Sequence, residues 1–244
     1  MKKTKPFSID KQLVMYAFQK VNANRGSGGV DGVSLKMFRK EYKNYLYKLW
    51  NQMSSGSYMP PPVRLKEIAK KGGGIRPLGI PTVSDRVGQT VVKVLLENTL
   101  EKLFHEDSYG YRPLKSAADA LATARTRCWK YDWVVDLDIK GFFDNIPHDL
   151  LMKAVRKHCN CAWMLLYIER WLVAPLQKES GEIVARTKGV PQGSVIGPIL
   201  ANLYLHYCMD IWLNLHFPEC KFERYADDAI IHCINERHAN EVKD

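Results

Sequence analysis

Two adjacent carboxylates, Asp227 and Asp228, sit inside FERYADDAII, an apolar run otherwise patterned like a strand. An unpaired buried carboxylate costs several kcal/mol or changes its protonation state, so acids side by side there need a chemical reason. A third acid, Asp138, closes WVVDLD. Trp133, Val135, Leu137 and Ile139 alternate with Val134, Asp136 and Asp138, which predicts a strand that sends one apolar face to the core and ends in carboxylates. If the two strands share a sheet edge, three carboxylates converge. They repel one another unless a multivalent cation neutralises them, and an all-oxygen donor set selects Mg²⁺ or Mn²⁺. Acids at a tight turn can hold two hard cations about 3.5–4 Å apart, a spacing that activates an attacking hydroxyl and stabilises a departing pyrophosphate. The plainer alternative is a polar turn with a salt bridge to Arg224.

Several elements must position these acids. Apolar spacing predicts helices from about Ile9 to Val21, from Leu35 to Met53, and from Ser84 to about Leu103, the last opened by Thr82 and Asp85 at capping-box spacing and buried through Val87, Val91, Val94 and Leu95. Between the second and third, Ser54 to Pro81 brackets two short extended pieces with prolines and glycines, a hairpin with a basic, glycine-rich tip. Further helices fit Asp149–His158, Trp163–Val173 and Val195 to about Leu215. The FERYADDAIIHC hairpin follows, and Glu236 to Asp244 reads as the start of another helix. No internal repeat is present.

Composition narrows the partners. In 244 residues there are 36 Lys and Arg against 26 Asp and Glu, a formal charge of +10, which favours a polyanion such as nucleic acid. The six cysteines form no CxxC pair, and MKKTKPFSID lacks an apolar signal core. A reduced, cytoplasmic protein is expected. His158, Cys159 and Cys161 cluster as HCNC, a poor zinc signal without a second Cys/His pair. No apolar run approaches the roughly 20 residues of a membrane span.

In order along the chain stand NRGSGGVDGVS, IRPLGIPTVSDR, SYGYRPLKSAADAL, DIKGFFD, GVPQGSVIGPILANLYLH and YADD. Together they resemble the bacterial group II intron-encoded reverse transcriptase/maturase over nearly the whole chain. The resemblance implies an α+β right-hand polymerase: fingers and palm, the palm built of antiparallel strands backed by helices, with a helical amino-terminal extension. It implies segments at 1–107 (extension and fingers), 108–149 (first palm part), 150–190 (fingers/palm connection) and 191–244 (second palm part), with the thumb absent.

The same resemblance assigns roles. Asp138, Asp227 and Asp228 match the catalytic acids that hold two Mg²⁺ ions, or Mn²⁺, with Ile139 beside them in the metal set; Asp136 is expected to be structural. Lys70 and Arg76 match triphosphate-binding positions, with Lys71 a second choice for Lys70 and Ala69 where a proline is common. Phe143 matches a steric gate against a 2′-hydroxyl, and Phe142 is its core neighbour. Gln192 and Gly193 match the lining of the nascent base pair, and Gly197 stands where a serine is common. Tyr109, Arg112 and Lys115 look like template contacts, while Tyr111 reads equally well as core.

The implied activity is RNA-directed DNA polymerisation with dNTPs on a DNA primer and RNA template, together with binding of intron RNA to assist splicing and mobility. No membrane partner is implied, and surface that a thumb would cover offers a route to a homodimer. Alternatives are a non-catalytic RNA-binding maturase fragment, a related reverse transcriptase of phage defence or spacer acquisition, and a two-metal phosphotransferase of another kind.

Overall fold

Regular apolar spacing interrupted by glycine and polar caps sets the element order. The computed structural model describes residues 5–69 and 73–244. The chain is α+β and divides into two compact units, Met1–Glu97 with Phe143–Gly197, and Asn98–Phe142 with Pro198–Asp244.

In the first unit, α1 (Lys11–Ala23) is capped by Asp10, whose carboxylate accepts from Gln12 N at 2.8 Å, and buries Val14, Ala17, Phe18 and Val21. The single helix expected over 35–53 is instead two, α2 (Leu35–Lys40) and α3 (Tyr42–Ser55), separated at Glu41 with φ −123° and ψ 27°. Phe38 then packs on both Phe18 and Tyr45, with ring centroids 5.4 and 4.6 Å apart. Aromatic spacing continues across the break, so periodicity alone does not reveal it. The predicted hairpin is present as antiparallel β1 (Val63–Ala69) and β2 (Ile75–Ile80), registered from Arg64 opposite Ile80 to Ala69 opposite Ile75.

Helix α4 (Val83–Leu100) opens where Thr82 and Asp85 meet, Asp85 N donating to Thr82 Oγ1 at 3.1 Å. Its buried stripe runs through Val83, Val87, Val91, Val92 and Leu96, while Val94 and Leu95 are half-buried. The Asp85 carboxylate also accepts from Tyr58 and Trp171, and burial pushes it above the usual carboxylate range. After α6 (Phe142–Asn145), α7 (His148–His158) and α8 (Ala162–Val173), two-residue strands β4 (Leu176–Gln177) and β5 (Ile183–Val184) complete a sheet of order β2-β1-β4-β5. Strands this short leave no sequence pattern.

The second unit holds an antiparallel sheet of order β3-β7-β6, formed by β3 (Trp133–Asp138), β7 (Asp228–Cys233) and β6 (Lys221–Tyr225). Helix α5 (Ala117–Cys128), unforeseen in the sequence, has a complete capping box between Ser116 and Asp119 and packs on β6 and β7. Helix α11 (Glu236–Lys243) packs on β3 and β7. The helix expected from Val195 to Leu215 is α9 (Gly197–Leu205), a π-helical turn (His206–Asp210) and α10 (Ile211–His216). The apolar face expected of β3, an edge strand of this sheet, is only half covered: Val135 and Leu137 are half-buried and Trp133 is 42% exposed. Among the described residues no helix is long and apolar enough to cross a membrane.

Candidate active site

Ala226 and Asp227 form a two-residue turn between β6 and β7, closed by the Tyr225–Asp228 pair. Ala226 takes φ +60° and Asp227 does not, the pattern of a type II′ hairpin turn. Glycine is the usual residue there, so alanine carries strain of roughly 1 kcal/mol. On the other side of β7 the β3 register sets Asp138 opposite Asp228. The three acids are thus on adjacent strands and the turn that joins one of them, with Asp136 two residues back on β3. Like charges opposed across strands destabilise a sheet. Asp228 records this: burial, then the charges of Asp227, Asp138 and Asp136, raise its carboxyl above the ordinary value. An all-oxygen donor set under mutual repulsion fits a hard divalent cation. Ile139 follows Asp138 directly and is half-buried.

What fixes the turn is Arg224, fully buried on β6. Its Nε and Nη2 donate to the two carboxylate oxygens of Asp210, each at 2.7 Å, and Nη1 donates to Asn202 Oδ1 at 3.1 Å and to the Ala226 carbonyl at 3.0 Å. Arg224 therefore pairs with Asp210 and a turn carbonyl, which displaces the plainer reading of a salt bridge to the acids. Burial alone would raise the Asp210 carboxyl, but the paired hydrogen bonds and charge of Arg224, with His206 Nδ1 3.8 Å away, outweigh it and hold it below its ordinary value. Asn202 Nδ2 in turn donates to Gly110 O at 2.7 Å. A Cβ on Gly110 would lie 2.3 Å from Ala226 N, so the 107–110 loop can press on the turn only with glycine there. Sequence reasoning missed Asp210 and Asn202. The signal was a lone acid in an apolar helix and a lone arginine in a strand, each intelligible only through the other.

Behind the same sheet, Arg127 donates to Glu223 Oε1 at 2.6 Å and Asp107 Oδ2 at 2.8 Å, and His232 Nε2 lies 2.7 Å from Glu223 Oε2.

The first unit assembles three residues identified separately in the sequence. Arg76 Nε donates to Gln192 Oε1 at 2.7 Å, and Gly79 N donates to Gln192 O at 2.7 Å. Gly193 has φ +105°, and a Cβ on it would stand 2.3 Å from Gly79 O. The entry to α9, left open by Gly197, is held by Gln89, whose Oε1 accepts from Ser194 Oγ at 3.0 Å and Val195 N at 2.9 Å, while Gly197 N donates to Ser194 Oγ at 3.2 Å. Phe143 is half-buried with its carbonyl accepting from Val190 N at 2.7 Å, and Phe142 is buried. Lys70 and Lys71 lie outside the described residues.

The three residues expected to meet the template differ in how they are held. Tyr109 is buried, its hydroxyl bonded to Asp107 and Thr123, which leaves no ring face for a base. Tyr111, at φ +57°, is the exposed tyrosine of the pair. Arg112 is engaged internally, donating to Glu101 Oε1 at 2.7 Å and to the carbonyls of His105 and Ser108. Lys115 is half-buried; its ammonium lies 4.7 Å from the Tyr109 ring centroid and donates to the Glu106 carbonyl. Cys159 is buried and Cys161 half-buried.

Residues 68–244 match the reverse transcriptase (RNA-dependent DNA polymerase) family. The chain is 34% identical over 230 residues to the group II intron-encoded protein LtrA of Lactococcus lactis subsp. cremoris, covering 93% of this chain and 37% of that protein. It is 37% identical over 183 residues to protein YkfC of Escherichia coli K12, covering 73% of this chain and 48% of that one. The chain thus spans less than half the length of these relatives. A telomerase structure from Candida albicans shares the fold, with TM-score 0.59 at 14% identity over 86% of this chain and 44% of that one. The chain belongs to the reverse transcriptase family, among its group II intron-encoded members.

Proposed function

We propose that this chain carries the fingers and palm of an RNA-directed DNA polymerase of group II intron type, which extends a primer 3′-hydroxyl with dNTPs along an RNA template. The observation behind this reading is the β3–β7 register, with Asp138 across from Asp228 and Asp227 in the adjoining turn. Asp138, Asp227 and Asp228, with the Ile139 carbonyl, would hold two Mg²⁺ ions, or Mn²⁺, which when bound activate the primer hydroxyl and neutralise charge at the departing pyrophosphate.

The chain's own residues contribute position. Arg224 and Asp210 fix the turn, so the acids need little reorganisation when they act. Arg76, oriented by Gln192, offers a planar guanidinium suited to a triphosphate, and Lys70 would add a second charge. Gly193 lets the nascent pair approach the backbone closely, and Phe143 crowds a 2′-hydroxyl. In this reading 1–107 and 150–190 form the fingers and their connection, and 108–149 with 191–244 form the palm. The +10 charge suits an RNA partner, including an intron whose splicing the protein assists. Six free cysteines suit the reducing cytoplasm.

Primer extension on an RNA template with Mg²⁺ tests the proposal. Asp138→Asn and Asp227→Asn each abolish dNTP incorporation, while filter binding of RNA is unchanged or slightly tighter because phosphate repulsion is relieved. Retention of the wild-type rate by either variant would remove that carboxylate from the chemistry.

A further inference from the structure

Cys220, Cys233 and His238 lie together in the second unit, at the far end of the hairpin from its Ala226–Asp227 turn, and all three are buried. Cys220 stands one step beyond the Lys221–His232 pair, facing Cys233 across β6 and β7. The two sulfurs are 3.8 Å apart. That is well beyond a disulfide bond of about 2.05 Å. It equals the edge of a tetrahedron, about 3.8 Å, around a metal bound at about 2.3 Å from each sulfur. His238, in the first turn of α11, brings its ring to the same point, with Nε2 3.7 Å and Nδ1 3.9 Å from Cys220 Sγ. The corresponding sulfur–nitrogen edge of a tetrahedral site is about 3.6 Å. All ligand atoms lie within 4.8 Å of one another.

The ring is oriented by groups outside the cluster. Glu219 Oε1 lies 2.9 Å from His238 Nε2, and Asn235 Oδ1 caps α11 by accepting from His238 N at 2.9 Å. Nε2 is thus held by the carboxylate, and Nδ1, at nearly the same distance from Cys220 Sγ, is the nitrogen left for a metal, the arrangement in which metal-ligating histidines are usually held. The neighbouring His232 is engaged with Glu223 instead. The HCNC run at 158–161 supplies no such group of ligand atoms among the described residues.

We propose that Cys220, Cys233 and His238 form a zinc-type metal site, with Glu219 on the second nitrogen of His238 and a fourth position filled by water. Two thiolates and an imidazole select a borderline-soft ion such as Zn²⁺ over Mg²⁺, so this site is chemically distinct from the carboxylate cluster. It joins both strands of the hairpin to the start of α11. Its work is to fasten the base of the hairpin whose other end carries Asp227 and Asp228.

The test uses the whole 244-residue chain, reduced and stripped of metal, titrated with Co²⁺ and then Zn²⁺. One equivalent of Co²⁺ gives visible bands of tetrahedral intensity with a sulfur-to-cobalt charge-transfer band, and Zn²⁺ bleaches them. Cys220→Ser and Cys233→Ser each weaken the charge-transfer band, and His238→Gln shifts the visible bands. A Cys128→Ser/Cys161→Ser/Cys208→Ser variant, altered only away from the cluster, keeps the full spectrum. Zn²⁺ raises the melting temperature of wild type and of this control by several degrees, and EDTA reverses it. Absence of a thiolate–cobalt band in wild type overturns the proposal regardless of how the variants fold. Loss of that band in the triple-serine control overturns it too, as does a Cys220–Cys233 disulfide in chain purified under reducing conditions.

Discussion

Arg224 carries more of the site's architecture than any one acid it supports. Its partner Asp210 is buried with it, so Asp210→Asn leaves an uncompensated charge and should cost about 3–5 kcal/mol in denaturant unfolding. The sign with pH follows from the lowered Asp210 carboxyl. A depressed folded value means the stabilisation is present above the unfolded value of about 3.9 and is lost as pH falls through the folded one, so the Asp210→Asn variant should lose that part of the acid limb of stability. At Phe143, substitution by Val should raise rNTP relative to dNTP incorporation about tenfold, roughly 1.4 kcal/mol of discrimination; an unchanged ratio would make Phe143 a packing residue. The three acids were legible in the sequence because charge interrupts a strand pattern. The Arg224–Asp210 pair was not, because partner choice across a π-helical turn and a loop is decided by tertiary packing.

Among elements, the two hairpins were legible from alternation and turn residues, and α1, α4, α7 and α8 from apolar spacing. What failed did so for local reasons. The α2/α3 break at Glu41 and the π turn at His206–Asp210 interrupt helices without glycine or proline to announce them. In SYGYRP Tyr109 is buried where a template contact was expected, and Tyr111, left open between contact and core, is exposed, since positive φ at Tyr111 and Leu114 destroys any simple alternation. The junction of β2 with the Gln192–Gly193 turn gives a sharp test. With φ +105° and Gly79 O in the way, Gly193→Ala should lose about 1–3 kcal/mol in urea unfolding and weaken dNTP binding along with it. An undisturbed variant would show that this backbone contact is not required.

For the whole molecule, basic charge predicts RNA affinity that falls linearly in log–log form with salt as phosphate contacts are exchanged for counterions. A salt series by filter binding measures the slope, and Arg76→Ala should leave it nearly unchanged if that residue serves the nucleotide and not the RNA backbone. Neither unit is continuous in the chain, and this orders events during synthesis. The edge of β3, with Asp138 at its end, is complete when residue 138 emerges, but β7 follows only after residues 139–227. At about 5–20 residues per second that edge waits on the order of ten seconds for its strand partner, while β6 and β7 pair almost as soon as both exist. Refolding of the whole chain should keep the same order for a different reason, the local β6–β7 hairpin closing before the long loop between β3 and β7, so pulsed hydrogen exchange should find the amides of 221–233 protected before those of 133–138. The acids of the turn come into place first, and the cluster is completed only when the oldest of its strands docks last.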